Sequence, residues 1–321
     1  MRALITRSPV GSAERLQGAA IWVVLALLFL LAAALSEAFL RPIYLFNLIR
    51  QAAPVGITAV GVTLVMILGG VDLSVGAVIS LGAVLCAVLM NGQTSNLATA
   101  VLVTSLAGAA VGLVNGVVIA LGRASPFIVT LGIAIAVYGL TLLYSGGTAR
   151  GEVSPGFREF MNYRVGGVAP VLALAFLGLA AVMAWLQRAT RFGRSLYLIG
   201  SNPRAARLCG LPVAAVTLGA YALSGLFAAL GGIALLARAG VSSTYVGRGL
   251  EFDVLAAVVL GGTTFQGGRG GVGGSVAGVL VLVIAFNLVN ILGLSFYAQL
   301  MVKGAIIIAA SAAYEYVQRY H

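Results

Sequence analysis

The side chains that could do chemistry in this 321-residue sequence are few. The only histidine is His321, so the chain has no HExxH helix, no Ser-His pair and no histidine-based zinc site. An intramembrane dicarboxylate protease needs two buried aspartates, and the sequence offers only Asp72 and Asp253, each near the end of an apolar run. No GxxxxGK[ST] loop is present, so the chain cannot cradle a nucleotide by that route. Cys86 and Cys209 fall at different depths and predict no disulfide framework. These absences argue against an enzyme and against any cofactor or metal held by this chain.

Two segments carry a stronger signal. In the first, Gly69-Gly70-Val71-Asp72-Leu73-Ser74-Val75-Gly76, one apolar run ends and the next begins. Asp72 or Ser74 can cap the following helix. Alternatively, a glycine-rich break lines a path, where irregular backbone is tolerated because it faces water or protein. In the second segment, 188–212, the run Asn202-Pro203-Arg204-Ala205-Ala206-Arg207-Leu208 encodes a short helix. Asn202 caps it, Pro203 suits its first position, and Gly210 ends it in a left-handed conformation with Pro212 beyond. Arg204 and Arg207 are three apart and share a face. Such a stubby basic helix is suited to docking on another protein, although a solvated loop with ordinary arginines would also account for it.

The elements that must position these residues are membrane helices. Of the residues, 61% are hydrophobic and only 8% charged, which excludes an ordinary soluble fold. Runs of about 20 apolar residues cross a hydrocarbon core about 30 Å thick, and in lipid such runs must be helical. Spans are expected at 19–36, 52–69, 74–91, 97–121, 126–145, 168–187, 213–236, 252–265, 271–292 and 296–314. The fold class is therefore an all-α polytopic transmembrane bundle of about ten spans. The span at 252–265 is the doubtful one, because its apolar run from Val254 to Leu260 is short and flanked by Asp253 and Gly261-Gly262.

Arginine placement orients the bundle. With a cytoplasmic N-terminus the inside segments hold Arg2, Arg7, Arg15, Arg123, Arg188, Arg191, Arg194, Arg204, Arg207, Arg269 and Arg319. The outside segments hold Arg41, Arg50, Arg150, Arg158, Arg164, Arg238 and Arg248, partly neutralised by Glu37, Glu152, Glu159 and Glu251. Both termini are then cytoplasmic by the positive-inside rule. The net charge of +11 reflects this scatter of arginines at span ends and forms no basic face for nucleic acid.

Residues 1–18 and 316–321 read as cytoplasmic tails around one transmembrane domain, 19–315. The first apolar stretch is long enough for an uncleaved anchor in place of a signal peptide. Lys303, the only lysine, sits inside the last apolar run, where it either snorkels to an interface or serves a path. Gly56, Gly61, Gly108, Gly112, Gly116, Gly225, Gly231 and Gly232 suit close helix packing. Thr63, Asn115, Thr130, Ser224, Asn287 and Asn290 can bond across helices or present hydrogen bonds to a hydroxylated solute.

Four segments in order, Gly69–Gly76, Ser125–Gly132, Gly200–Leu211 and Gly261–Gly274, resemble the motifs of the ribose-type permease family of ABC importers. The likeness extends from about residue 45 to 310, with Ser201 where glycine is common and Ser125 where proline is common. It implies a permease subunit in the bacterial inner membrane that passes a sugar or similar small polar solute. It also implies a second permease copy or sibling, a periplasmic solute-binding protein, and a partner ATP-binding subunit that holds ATP and Mg. Residues Asn202 to Leu211 would be the coupling helix. Asp72, Ser74, Asn115, Thr130, Asn287 and Asn290 are candidates for the translocation path. An ion-coupled carrier is the competing expectation, weakened by the scarcity of ionisable groups within the spans.

Overall fold

In the computed structural model the described residues are 10–293 together with 295, 297, 300, 301, 304, 305 and 308. The expected span at 296–314 and the Lys303 reading fall for the most part outside them. The helices are α1 (Val10–Leu35), α2 (Pro42–Ile67), α3 (Val75–Met90), α4 (Leu97–Gly122), α5 (Pro126–Ser145) and α6 (Pro155–Asn162), followed by α7 (Val171–Ala189), α8 (Arg191–Ser201), α9 (Pro203–Leu208), α10 (Val213–Ala239), α11 (Leu250–Leu260) and α12 (Val272–Ile291). A two-residue hairpin, β1 (Arg164–Val165) with β2 (Ala169–Pro170), precedes α7.

The ends follow local chemistry. Pro42, Pro126, Pro155 and Pro203 each open a helix, where the missing N–H costs nothing. Among the described residues six helices are long and apolar enough to cross a membrane, and Ala20–Leu35 and Val75–Met90 are shorter apolar helices.

α10 is the hub, packed on α4, α2 and α3, while α12 lies on α2, α11 and α1. α2 and α10 are largely buried, whereas α4 and α5 show solvent-side leucine and isoleucine such as Leu106, Ile128, Ile135 and Leu143. In a soluble protein that surface would aggregate; against acyl chains it is the expected exterior. The chain is thus a multi-pass membrane protein.

Backbones touch where α4 meets α10. A Cβ on Gly112 would run into the Tyr221 carbonyl, and Gly108 and Gly225 face each other's carbonyls just as closely. The small residues noted in the sequence therefore serve helix packing at this contact.

Three expectations change. First, α11 has 11 residues, about 16 Å at 1.5 Å per residue, so the apolar run at 252–265 makes only half a crossing. Second, segment 188–212 holds two helices, because Thr190 accepts from Gly193 N (3.1 Å) and starts α8 ahead of the expected α9. Third, neither Asp72 nor Ser74 caps α3 in the usual way. Asp72 Oδ1 instead accepts from the backbone N and hydroxyl of Ser74 itself, one position before the helix.

Candidate functional site

At one end of the bundle, α9 is built as the sequence predicts. Asn202 Oδ1 accepts from Arg204 N (3.1 Å) and Ala205 N (3.0 Å). At the other terminus Gly210 takes φ +78°, with Gly210 N donating to Arg207 O and Leu211 N to Ala206 O. That pair of bonds is the Schellman arrangement, which satisfies the last carbonyls. Ala206 is buried in the main apolar core and anchors the helix, while Arg204, Arg207 and Leu208 face outward. Leu208 is 91% exposed, an apolar side chain set beside two cations with nothing among the described residues covering it.

The mount beneath α9 was not visible in the sequence. Gln187, buried at the end of α7, accepts from Val272 N (3.0 Å) through Oε1 and donates to Tyr197 Oη (2.7 Å) through Nε2. Gln187 thereby caps α12 from another helix. Tyr197 Oη in turn donates to Gly270 O (2.8 Å). Burial pushes the Tyr197 phenol above its ordinary range against a smaller pull from Arg188, so it remains a donor.

Two glycine turns and a glycine of α8 close the same joint. Gly268 N donates to Ile67 O (2.8 Å), Gly200 lies against that same carbonyl, and Gly267 lies against Gly69 N and Gly200 O. Positive φ at Gly69, Gly267 and Gly268, together with the close approach, requires glycine here. Gly200, at the end of α8 just before α9, is therefore packed against the turn that leads into Asp72 and against the loop between α11 and α12, and that loop is bonded to α8 through Tyr197 and to Ile67 through Gly268.

Asp72 is fully buried and accepts from Ser74 N (3.0 Å), Ser74 Oγ (2.6 Å) and Ser224 Oγ (2.7 Å). Asn115 Nδ2 donates to Ser74 Oγ (2.8 Å), and Leu73 N donates to Thr130 Oγ1 (3.1 Å). Four of the six path candidates, Asp72, Ser74, Asn115 and Thr130, thus form one buried cluster tying α3 to α4, α5 and α10. The other two lie elsewhere. Asn287 Nδ2 donates to Gln51 Oε1 (3.1 Å) and to Val283 O (2.8 Å) on the α2–α12 side, and Asn290 is exposed near the end of α12.

A half-open cavity of about 530 Å³ adjoins the buried cluster at Leu73. Its wall is mainly α5, with Tyr138, and its other side is Tyr245, Arg248, Glu251 and Phe252 at the start of α11. The volume is within the range of about 300–1,000 Å³ usual for small-molecule sites. Depth follows from one bond: Gly247 N donates to Ser80 Oγ (2.9 Å), and Ser80 lies roughly 15 Å along α3 from Met90. The chain leaving α10 therefore dives to mid-bundle before α11 begins.

No solved structure matches the chain. The family described as branched-chain amino acid transport system / permease component matches residues 44–311. The chain belongs to that family. It resembles the ribose import permease protein RbsC of Escherichia coli (strain K12), at 38% identity over 296 residues, covering 89% of this chain and 91% of the relative. RbsC of Bacillus subtilis (strain 168) is 39% identical over 290 residues, 88% of each chain. The galactose/methyl galactoside import permease protein MglC of Salmonella typhimurium (strain LT2) is 36% identical over 309 residues, covering 91% and 92%. These relatives are transport permeases and not enzymes, which agrees with the absence of a catalytic constellation in the sequence.

Proposed function

We propose that this chain is the membrane-spanning permease subunit of an ATP-driven importer that passes a sugar or related small polar solute into the bacterial cytoplasm. The family supports the subunit class. The sugar-import relatives favour sugar over the amino acids of the family description. The observation that carries the mechanism is α9: a capped basic helix with an exposed leucine, which follows directly on the end of α8 that is packed against the turns leading to the buried cluster and to α11. In this reading residues Asn202 to Gly210 are the coupling helix and dock on a partner ATP-binding subunit, which holds the ATP and Mg. A periplasmic binding protein delivers solute to the opposite end, and a second copy or a sibling completes the pathway.

The orientation follows the arginines, with the α9 end and both termini cytoplasmic in the inner membrane. α1 runs parallel to α12, with Ile21 against Ala277 and Val281 and Ala32 in one cluster with Ile284 and Leu288, so its N-terminal half points toward the end that carries α9, which agrees with this orientation. The buried cluster of Asp72, Ser74, Asn115 and Thr130 shapes the path through Leu73 and does not itself touch solute. Asn287 and Asn290 are assigned to the α12 side of the pathway. About ten spans, with the last in 296–314, complete the bundle.

The test is purification from the native membrane followed by Arg204→Glu/Arg207→Glu and Leu208→Ser. A stoichiometric ATP-binding subunit should copurify with the wild type. The charge reversal should abolish solute-stimulated ATP hydrolysis while the protein remains inserted, and Leu208→Ser should weaken it several-fold. Normal stimulated hydrolysis in the charge-reversed protein would remove the docking assignment. Uptake that follows a proton or sodium gradient instead of ATP would replace the reading with an ion-coupled carrier.

A further inference from the structure

A polar helix start at mid-membrane depth is costly unless it lines a cavity or is buried in protein. α11 begins there, after Gly249 at φ +87°, and its first turn opens on the cavity described above. Glu251 Oε2 accepts from Gly249 N (2.9 Å), which fixes the carboxylate at the cavity edge. Arg248 brings an opposite charge three residues earlier, and Tyr245 and Phe252 are 53% and 57% exposed. Across from them Tyr138 adds an aromatic ring.

Aromatic faces beside a carboxylate and a guanidinium match one ligand chemistry well. A sugar ring has an apolar C–H face that packs on an aromatic ring, and a rim of hydroxyls that bond to charged groups. The apolar wall of α5 limits the polar contacts to one side, so solute is oriented without being held tightly. Lipid tails would not account for the charged pair, and an ion would not need the rings.

We infer that the cavity between α5 and the start of α11 is a monosaccharide waypoint, in which Tyr245 and Phe252 take the ring face and Glu251 and Arg248 the hydroxyl rim. The inference rests on the sugar-permease reading above. α11 also joins this waypoint to the coupling end, because its last residues abut Gly274 and Ser275, next to the turn on which α8 is mounted.

The experiment uses the complete transporter, with D-ribose and D-galactose as probes. Tyr245→Ala, Phe252→Ala and Glu251→Gln should each lower maximal sugar uptake roughly five- to tenfold, the loss of one good contact. Leu143→Ala, on the exposed face of α5, should not change it. In a Cys209→Ser background, Ile135→Cys in the cavity wall should react with a membrane-impermeant thiol reagent, and sugar should slow that reaction. This second readout leaves the waypoint side chains intact, so it stands even where a substitution prevents insertion. Wild-type ATP-dependent uptake with unchanged variants and no sugar protection would overturn the waypoint and leave the permease reading in place. Failure of the wild type to move any member of a wider panel of aldoses, ketoses and polyols under ATP would overturn the transport reading and the waypoint with it.

Discussion

Replacing Gln187 by leucine tests how the coupling segment is held. The side chain is 3% exposed and bridges three elements: α7 on which it sits, Val272 N at the start of α12, and Tyr197 on α8. Leucine fills similar space but takes away one acceptor and one donor. Two net hydrogen bonds are worth about 1 kcal/mol each, and an unpaired buried N–H at Val272 adds about 1–3 kcal/mol, offset in part by the apolar gain of leucine. A net loss of about 2–4 kcal/mol is expected, concentrated at the α12 start. A local loss of about 2 kcal/mol raises amide opening roughly thirtyfold, so hydrogen exchange at Val272 in detergent or nanodiscs reads it directly. Exchange at Gly112, in the α4–α10 contact, should stay unchanged, because no bond there depends on Gln187. In the assembled transporter the same variant should hydrolyse more ATP per solute moved. Gln187→Glu is the informative companion. A carboxylate still accepts from Val272 N, but it competes with Gly270 O for the single Tyr197 proton, so the cap should survive while the Tyr197–Gly270 bond weakens. Unchanged exchange at Val272 in Gln187→Leu would refute the bracket reasoning.

Two further outcomes follow from the buried contacts. Asp72→Ala leaves three donors without their acceptor and should destabilise the protein by about 3–5 kcal/mol, whereas Asp72→Asn keeps the shape and one acceptor and should cost less than half as much. Thermal unfolding of the two variants checks the order, and equal stability would show that the cluster is not held by Asp72. Gly112→Ala should cost about 1–3 kcal/mol by pushing α4 from α10, while Gly132→Ala and Gly178→Ala, with open space around them, should be neutral or slightly stabilising. A Gly112→Ala protein as stable as the wild type would mean that the two helices separate without strain.

The features legible in the sequence are those whose information is local or periodic. Asn202, Pro203 and Gly210 fixed α9 because caps act across three or four residues, and the helix formed where expected with both caps made. Pro126 fixed the start of α5 for the same reason, and apolar run length marked the membrane helices. Run length failed at α11, since a half-crossing and a weak span look alike until the preceding segment is seen bonded to Ser80. The sequence also left α8 unread as a helix, because Gly193, Ser195 and Gly200 are poor helix formers, although Phe192, Leu196 and Ile199 recur at helical spacing.

What only the tertiary structure decided is set by distance along the chain. The Gln187–Val272 cap joins residues 85 apart, and the Ser224–Asp72 bond joins residues 152 apart, so neither leaves a local pattern. Four of the six residues the sequence singled out for a path lie buried in one cluster, while Arg248 and Glu251 at the open cavity had counted only as loop charges and the rings beside them had drawn no notice. The physical reason is that a polar residue in an apolar helix is conspicuous wherever it points. A cavity exists only where separate elements stop short of one another.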